Sequence, residues 1–363
     1  HPKVKETFNR AKNLAQNMDV NLKLAVVLMG LLAYYFNTED YDTAEDLMKY
    51  MEELGKDPVN GYFFKLPVLH VSGTSFVVQG DLKLGEENLR KAINLYDPTQ
   101  KDFDKFLDFN FKVNAEAWLS VALQMLGKMN EARRISEKHK LILKDFTGSH
   151  NLYHLYTFQS LRALMAREWK EAARVMEEYL PIVRKFGDPV FTLTAEVYYN
   201  IALSFLGDQK AIEKAIQLIN TCFDIGFKAF ASTLSPFIGE KYFQIGDYDA
   251  ALNWIEKILG HVNQTGSHTR TAELYRLKGL VLGALGKPGD IVEEHLIKAI
   301  KLANKQSARV FELRATVDLA RLWKKHGKAE KGYEMLKETL KGFKEGHDSA
   351  DLLEAREVLE SCK

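Results

Sequence analysis

The stretch Gly246-Asp247-Tyr248-Asp249-Ala250-Ala251-Leu252, with Gly239 and Tyr242 just before it, decides the fold. Gly246-Asp247 reads as a turn. After it, Ala251, Leu252, Ile255, Ile258 and Leu259 recur at three- and four-residue spacing, the stripe of an amphipathic helix. Gly239 lies seven residues before the turn and Ala251 five after it. A glycine inside a helix costs about 1 kcal/mol against alanine, so small residues at these two phases imply two helices crossing closely.

The same pattern extends in both directions. Turn copies sit at Gly80-Asp81-Leu82, Gly127-Lys128-Met129, Arg167-Glu168-Trp169, Gly207-Asp208, Gly286-Lys287-Pro288 and Gly327-Lys328-Ala329, with an earlier one near Asn37 to Tyr41. From Gly80 onward, and counting Gly246, the spacings are 47, 40, 40, 39, 40 and 41 residues. The phase seven residues before each turn holds Gly30, Gly73, Ser120, Ser160, Asn200, Gly239, Gly279 and Ala320. The phase after the turn holds Ala44, Gly85, Ala132, Ala172, Ala251 and Gly332, with Ile212 and Ile291 in the two degenerate copies. One helical hairpin cannot bury its apolar stripe alone, whereas a stack buries it on both sides. The Gly246 segment closely matches the tetratricopeptide pattern, with helices longer than in the usual repeat of about 34 residues.

The fold predicted is therefore all-α, a right-handed superhelical solenoid of about eight tetratricopeptide-like helix-turn-helix repeats with a period near 40 residues. Its divisions are an N-terminal linker helix over 1–20, the repeat array over 21–345 and a C-terminal capping helix over 346–363. The β-branched run Leu66 to Val78 is assigned to helix because Gly73 falls on the small-residue phase, with Pro67 near its start or at a kink. The non-periodic segment Asp97 to Phe111 reads as an inserted loop in the second unit.

Three segments carry more than the generic repeat: Phe311 to Trp323 followed by Gly327-Lys328, Gly342 to Leu352, and Thr271 to Gly279. They resemble the C-terminal helical region of large signalling proteins in which class III adenylyl or guanylyl cyclase domains, or other effectors, precede a signal-transducing P-loop ATPase. Soluble, type 10-like adenylyl cyclases and bacterial predicted-ATPase regulators belong to that group. His1-Pro2-Lys3-Val4 through Asn17, and Gly30 to Tyr35, resemble the start of the same region. The insertion over 97–111 departs from that pattern. The resemblance implies a regulatory piece of a larger protein, and the start at His1, without an initiator methionine, is read the same way.

Composition narrows the function further. Fifty basic residues face 49 acidic ones, a net charge of +1, which excludes nucleic-acid binding by bulk charge. Two cysteines, Cys222 and Cys362, form neither a disulfide framework nor a four-ligand zinc site, and fit a reducing, cytoplasmic location. No apolar run is long enough to cross a membrane. The sequence has no Walker phosphate loop, no Gly-x-Ser-x-Gly and no His-Glu-x-x-His. His150 and His154 stand four residues apart, but no third ligand lies nearby, so they read as a capping or groove-lining pair, with Thr147-Gly148-Ser149 as the cap. Cys222 reads as a buried thiol. The basic run Arg321, Lys324, Lys325, His326, Lys328, Lys331 reads as helix-end charge or as a patch for an anionic partner.

No metal or cofactor is expected, and the piece is expected to be non-catalytic. Its expected partners are protein or peptide segments, including the parent's own upstream domains. The concave face around Tyr153, Tyr156, Tyr199, Tyr242 and Arg276 is where those contacts are placed, because tyrosine combines area with a hydrogen-bonding tip. Packing between repeats is the competing role for each tyrosine. The second functional class is a sensor holding a small molecule inside the superhelix. A long open groove would favour the scaffold; a deep pocket with converging polar groups would favour the sensor.

Overall fold

The computed structural model describes residues 22–363 together with Glu6, Thr7, Arg10 and Asn13, and only the backbone of residues 101, 102 and 106. Most of the linker helix expected over 1–20 therefore lies outside the described residues. Among the described residues the chain is all-α, with no strand. Eight hairpins follow one another. They are α1 (Leu22–Asn37) with α2 (Tyr41–Leu54), α3 (Tyr62–Gln79) with α4 (Leu82–Leu95), α6 (Phe111–Met125) with α7 (Met129–Ile142), and α8 (Ser149–Met165) with α9 (Trp169–Phe186). Then come α10 (Pro189–Phe205) with α11 (Gln209–Asp224), α12 (Lys228–Gln244) with α13 (Tyr248–Thr265), α14 (Thr271–Ala284) with α15 (Gly289–Gln306), and α16 (Arg309–Lys325) with α17 (Ala329–Lys341). A last helix, α18 (Ala350–Ser361), lies over the eighth hairpin.

The sequence phases explain the crossings. Gly85 packs against the Gly73 carbonyl, where an added Cβ would stand 3.1 Å from that oxygen. Ser160 donates its hydroxyl to the Ala172 carbonyl at 3.2 Å. A Cβ on Gly332 would meet Ala320 Cα at 3.0 Å. The turn phase is a left-handed residue: Gly246 has φ 83°, and the equivalent glycines are alike. Two turns use a side chain there instead, Glu39 with φ 61° and Arg167 with φ 59°. An L-residue in that region costs roughly 1–2 kcal/mol, so those two side chains need a compensating role.

The segment over 97–111 is not a loop, as its lack of periodicity suggested. It holds a 3-10 turn, Pro98–Gln100, and a short helix, α5 (Lys101–Leu107). Its phenylalanines point inward: Phe103 is buried and stacks on Phe111 at 5.1 Å between ring centres, with Phe63 at 5.2 Å. The segment also caps α8. Asp108 accepts the His150 amide at 3.0 Å and the Asn151 side chain at 3.2 Å. A Cβ on Gly148 would lie 1.6 Å from Asp108 Oδ1. The cap predicted from Thr147-Gly148-Ser149 thus comes from Asp108 instead, because Gly148 at the cap position has no side chain to supply one.

The superhelix winds back onto itself after five hairpins. Glu39 in the first hairpin bonds to residues of the sixth and of the loop after it. In the second, Thr269 donates its amide to the Val78 carbonyl at 2.9 Å and its hydroxyl to the same oxygen at 2.7 Å. In the third, the Asn130 amide donates to Glu345 at 3.0 Å and Arg133 pairs with Asp348 at 3.0 Å. In the fourth, Arg314 reaches the Met165 carbonyl at 2.7 Å and Arg167 pairs with Glu354 at 2.8 Å. The first helices of the hairpins face the axis that this winding encloses.

Candidate functional site

The enclosed axis has two parts of opposite character. Around the first turn lies an apolar chamber of about 380 Å³, walled by α1, α3, α6, α8, α10 and α12, with Leu107 and Phe109 from the inserted segment. Aromatic rings dominate the wall: Phe36, Phe109, Trp118, Tyr153, Phe158, Phe191, Tyr198, Phe227 and Phe230. Tyr153 and Phe191 are stacked 4.1 Å apart, and Trp118 meets Phe158 at 4.7 Å. Ala33 and His150 are exposed at its rim. Among the described residues, no Asp, Glu, Lys or Arg lines it.

Polar groups gather on one side of this chamber. His70 Nε2 and Asn114 Oδ1 are 2.7 Å apart, and both residues are buried. His70 Nδ1, Asn114 Nδ2 and His154 Nδ1 are buried without a hydrogen-bond partner. Burial pushes the His70 imidazole down to about 4, against the small opposing effect of Asn114. Burial, with His150 and His70 nearby, pushes His154 well below its ordinary value. Both rings are therefore neutral at pH 7. Among the described residues, no three His, Cys, Asp or Glu side chains converge as a metal site would require.

The second part is a plug of buried charge. Arg276 pairs with Glu273 at 3.0 Å and Asp318 at 2.7 Å. Arg314 pairs bidentately with Asp351, at 2.7 and 2.9 Å, and reaches Glu273 at 3.4 Å. Arg167 touches Glu240 at 3.6 Å, Asp351 at 3.5 Å and Glu354 at 2.8 Å. Burial alone would raise the Glu273 carboxyl, but Arg276, Arg314 and Arg270 hold it down to about 2. Arg270 stacks on Phe237 at 3.8 Å, and its Nε and Nη2 have no hydrogen-bond partner. Burial lowers that guanidinium to about 10, so it stays charged. Its Nη1 lies 3.4 Å from the carbonyl of chamber-lining Thr233, so the plug begins where the chamber ends.

A latch closes the ring around the chamber. The Glu39 carboxylate, 6% exposed, accepts from Ser232 Oγ at 2.8 Å, Ser267 Oγ at 2.5 Å and His261 Nε2 at 2.5 Å. Tyr41 hydroxyl meets Ser267 Oγ at 2.8 Å. Burial would raise the Glu39 pKa, but the bonds from His261, Ser267 and Ser232 outweigh it and hold the carboxyl below the usual range.

The five residues placed on the concave face by sequence do not share one surface. Tyr153 lines the chamber. Tyr156 is buried against Tyr179, 4.8 Å away and stacked, which is packing inside one hairpin. Tyr199 and Tyr242 are half-buried and outside the chamber lining. Arg276 is buried in the ionic plug. Of the small-residue positions, Gly30 borders the chamber, while Gly73, Gly239 and Gly279 meet the paired helix and Ala251 and Ala320 are buried. In the basic run, Arg321 pairs with Glu354 at 2.8 Å, and Lys331 lies over Trp323 at 3.8 Å. Sequence reasoning missed His70, Asn114 and Glu39. The first two sit on helix faces like any core position, and their meeting needs contact across a repeat boundary.

Fold and interior define a tetratricopeptide-like helical-repeat protein wound into a closed ring. Solved structures of that fold resemble it. A Rap protein complexed with competence and sporulation factor aligns with a TM-score of 0.59 at 14% identity, over 82% of this chain and 85% of that one. NprR in complex with its cognate peptide NprX aligns with a TM-score of 0.54 at 13% identity, over 85% and 84%. A signal transduction ATPase with a tetratricopeptide repeat sensor from Pyrococcus horikoshii aligns at 0.47 and 17% identity, over 99% of this chain and 55% of that one. No protein-family model and no curated protein matches the sequence.

Proposed function

We propose that this chain is a non-catalytic sensor module, in which a ligand held in the chamber stabilises the closed ring and the ring's state is passed to attached or partner segments. The observation that carries this is the enclosure itself: helices from six hairpins surround one apolar space, and the Glu39 latch joins the two ends of that ring. A ligand touching both ends binds the closed form better than an opened one, and shifts that equilibrium by the difference. The polar groups in the wall include the neutral imidazoles of His70 and His154, hydroxyls and amides, a set suited to recognition. On the resemblance of the terminal segments, we further propose that the module sits beside a signalling ATPase or cyclase, in the cytoplasm.

Hydrogen exchange on the full chain tests the sensor. N-phenyl-1-naphthylamine, an uncharged fluorescent probe, is titrated in, and exchange is compared at saturation and without it. Slower exchange in α1, α12 and the Glu39 turn is the expected result. Saturable binding with unchanged exchange there would leave a binding site but no sensor. A second reading, a short peptide as the ligand, is favoured by the two structural neighbours solved with a peptide or signalling factor bound. Displacement of the probe by an uncharged apolar peptide would support it.

A further inference from the structure

We infer that the turn edge of hairpins five to eight is a docking surface for a second copy of this chain, which stacks on it head to tail and continues the superhelix. The inference does not involve the chamber, so it is independent of the sensor reading.

The chain already makes this kind of contact with itself. The turn edge of each of the first four hairpins is covered by the unit five places further on. Glu39 in the first meets Ser232 of hairpin six, and Gly80 in the second meets Gln306 at the end of hairpin seven. Gly127 in the third meets Arg309 and Phe343 at the two ends of hairpin eight, and Arg167 in the fourth pairs with Glu354 of α18. The helix α18 therefore takes the ninth place in the winding. The tenth place falls over hairpin five, and no described residue fills it.

The bare edge shows in two ways. A Cβ on Gly207, Gly246, Gly286 or Gly327, the turn glycines of hairpins five to eight, would have nothing within 4 Å among the described residues. The residue just before the left-handed position tells the same story. In the covered third and fourth hairpins it is Leu126 and Ala166, 9% and 7% exposed. In the bare fifth and sixth it is Leu206 and Ile245, 43% and 53% exposed.

A second copy supplies the matching surface. What covers a turn edge within the chain is the opposite edge, the loops and helix ends that join one hairpin to the next. The loop over 266–270 lies across the turns of the first two hairpins, through Ser267 to Glu39 and Thr269 to Val78. Its counterpart five places earlier is the loop over 55–61, where Val59 is 80% exposed. Leu141, at the end of hairpin three, is 75% exposed on the same edge. With the same offset of five, hairpins one to four of a second copy fall on hairpins five to eight of the first, and its 55–61 loop lies across Leu206 and Ile245. Turn edge on loop edge is a heterologous contact, which repeats without closing unless the rotation completes a ring.

Sedimentation velocity on the full chain, from about 1 µM to about 300 µM, spans the range of a weak contact between proteins. The sedimentation coefficient is expected to rise across that range and to pass the value of a dimer. Leu206→Asp with Ile245→Asp should leave a monomer, and so should Val59→Asp with Leu141→Asp. Both should keep the parent's melting temperature, because all four side chains are exposed. Should either double variant melt lower, the single changes Ile245→Asp and Val59→Asp replace it. Mixed in equal amounts, the two variants should form a one-to-one dimer that grows no further, because one keeps its loop edge and the other its turn edge. A parent chain that stays monomeric or stops at a dimer overturns the inference. So does association that survives either variant, or a mixture that stays monomeric. None of the four residues lines the chamber, so these failures leave the sensor reading untouched.

Discussion

Replacing Glu39 tests the closed ring most directly. Its carboxylate takes three hydrogen bonds from Ser232, Ser267 and His261, which belong to segments about 190 to 230 residues away in the chain. A hydrogen bond to a charged group contributes about 1.5–3 kcal/mol. Three bonds to one group are not additive, and removing one partner of a buried charged network typically costs about 3–5 kcal/mol. Glu39→Ala should lose an amount in that range. The backbone strain at φ 61° remains in the alanine variant, so it does not offset the loss. Glu39→Gln keeps shape and one acceptor oxygen but no charge, and should lose about 1–3 kcal/mol.

The loss should be local before it is global. Repeat arrays are held by nearest-neighbour interfaces, so α1 and α2 can swing away while the other hairpins stay folded. Native-state hydrogen exchange is the assay: amides of α1, α2 and the 266–270 loop should exchange roughly a hundredfold faster or more in Glu39→Ala, as about 3 kcal/mol implies, while α10 and α11 change little. Small-angle scattering should show a larger radius for the variant. Acid should mimic the mutation. Because the folded pKa lies below the unfolded one, the latch contributes fully above the ordinary carboxylate pKa and is lost as pH falls through the depressed value. Unchanged exchange in α1 and α2, with stability within about 0.5 kcal/mol of the parent, would refute the ring.

Three further outcomes are expected. Gly73→Ala should cost about 1–3 kcal/mol, since its Cβ would fall 2.7 Å from Leu89 Cγ and 2.9 Å from the Leu89 amide nitrogen. Gly279→Ala should be close to neutral in the same denaturant melts, because its nearest contact is 3.2 Å and alanine favours helix by about 1 kcal/mol. Asp351→Asn should destabilise by about 3–5 kcal/mol and expose α18 to limited proteolysis, because it leaves Arg314 buried without its bidentate partner. Cys222 is fully buried and its thiol is pushed up to about 12 by burial, so it should react with thiol reagents only at the rate of unfolding.

Much of the fold was legible because it is local and repeated. The Gly246 segment specified a turn, two crossing phases and a helical stripe, and each copy of the pattern strengthened the others. The inserted segment failed for the converse reason. Seven residues of helix leave no period to read, and its aromatic residues make sense only beside Phe63 and Phe111. The concave tyrosines divide for a different reason. Tyr156 and Tyr153 are three residues apart on one helix, yet one stacks inside its own hairpin and the other reaches the axis. Telling them apart requires knowing how far the superhelix turns per repeat, and no single repeat encodes that.

One signal of the ring was nevertheless present in the sequence. The turn phase demands a left-handed residue, and glycine meets that demand at Gly80, Gly127, Gly207, Gly246, Gly286 and Gly327. The two copies that break the rule carry Glu39 and Arg167. Each has roughly 1–2 kcal/mol of backbone strain to offset, and each does so with a side chain that crosses to the next turn of the superhelix. Glu39 reaches the sixth hairpin, and Arg167 reaches Asp351 and Glu354 of α18. The first closes the ring around the chamber and the second ties the plug to the C-terminal helix. Both departures from the repeat's own backbone requirement therefore coincide with side chains that fasten one turn of the superhelix to the next, beside the contacts that the second and third hairpins make with glycine in their turns. A free solenoid can flex at every interface, but one fastened five hairpins apart has fewer independent motions. Release at Glu39 would free the first hairpin, and a chamber ligand touching α1 and α12 would oppose that release.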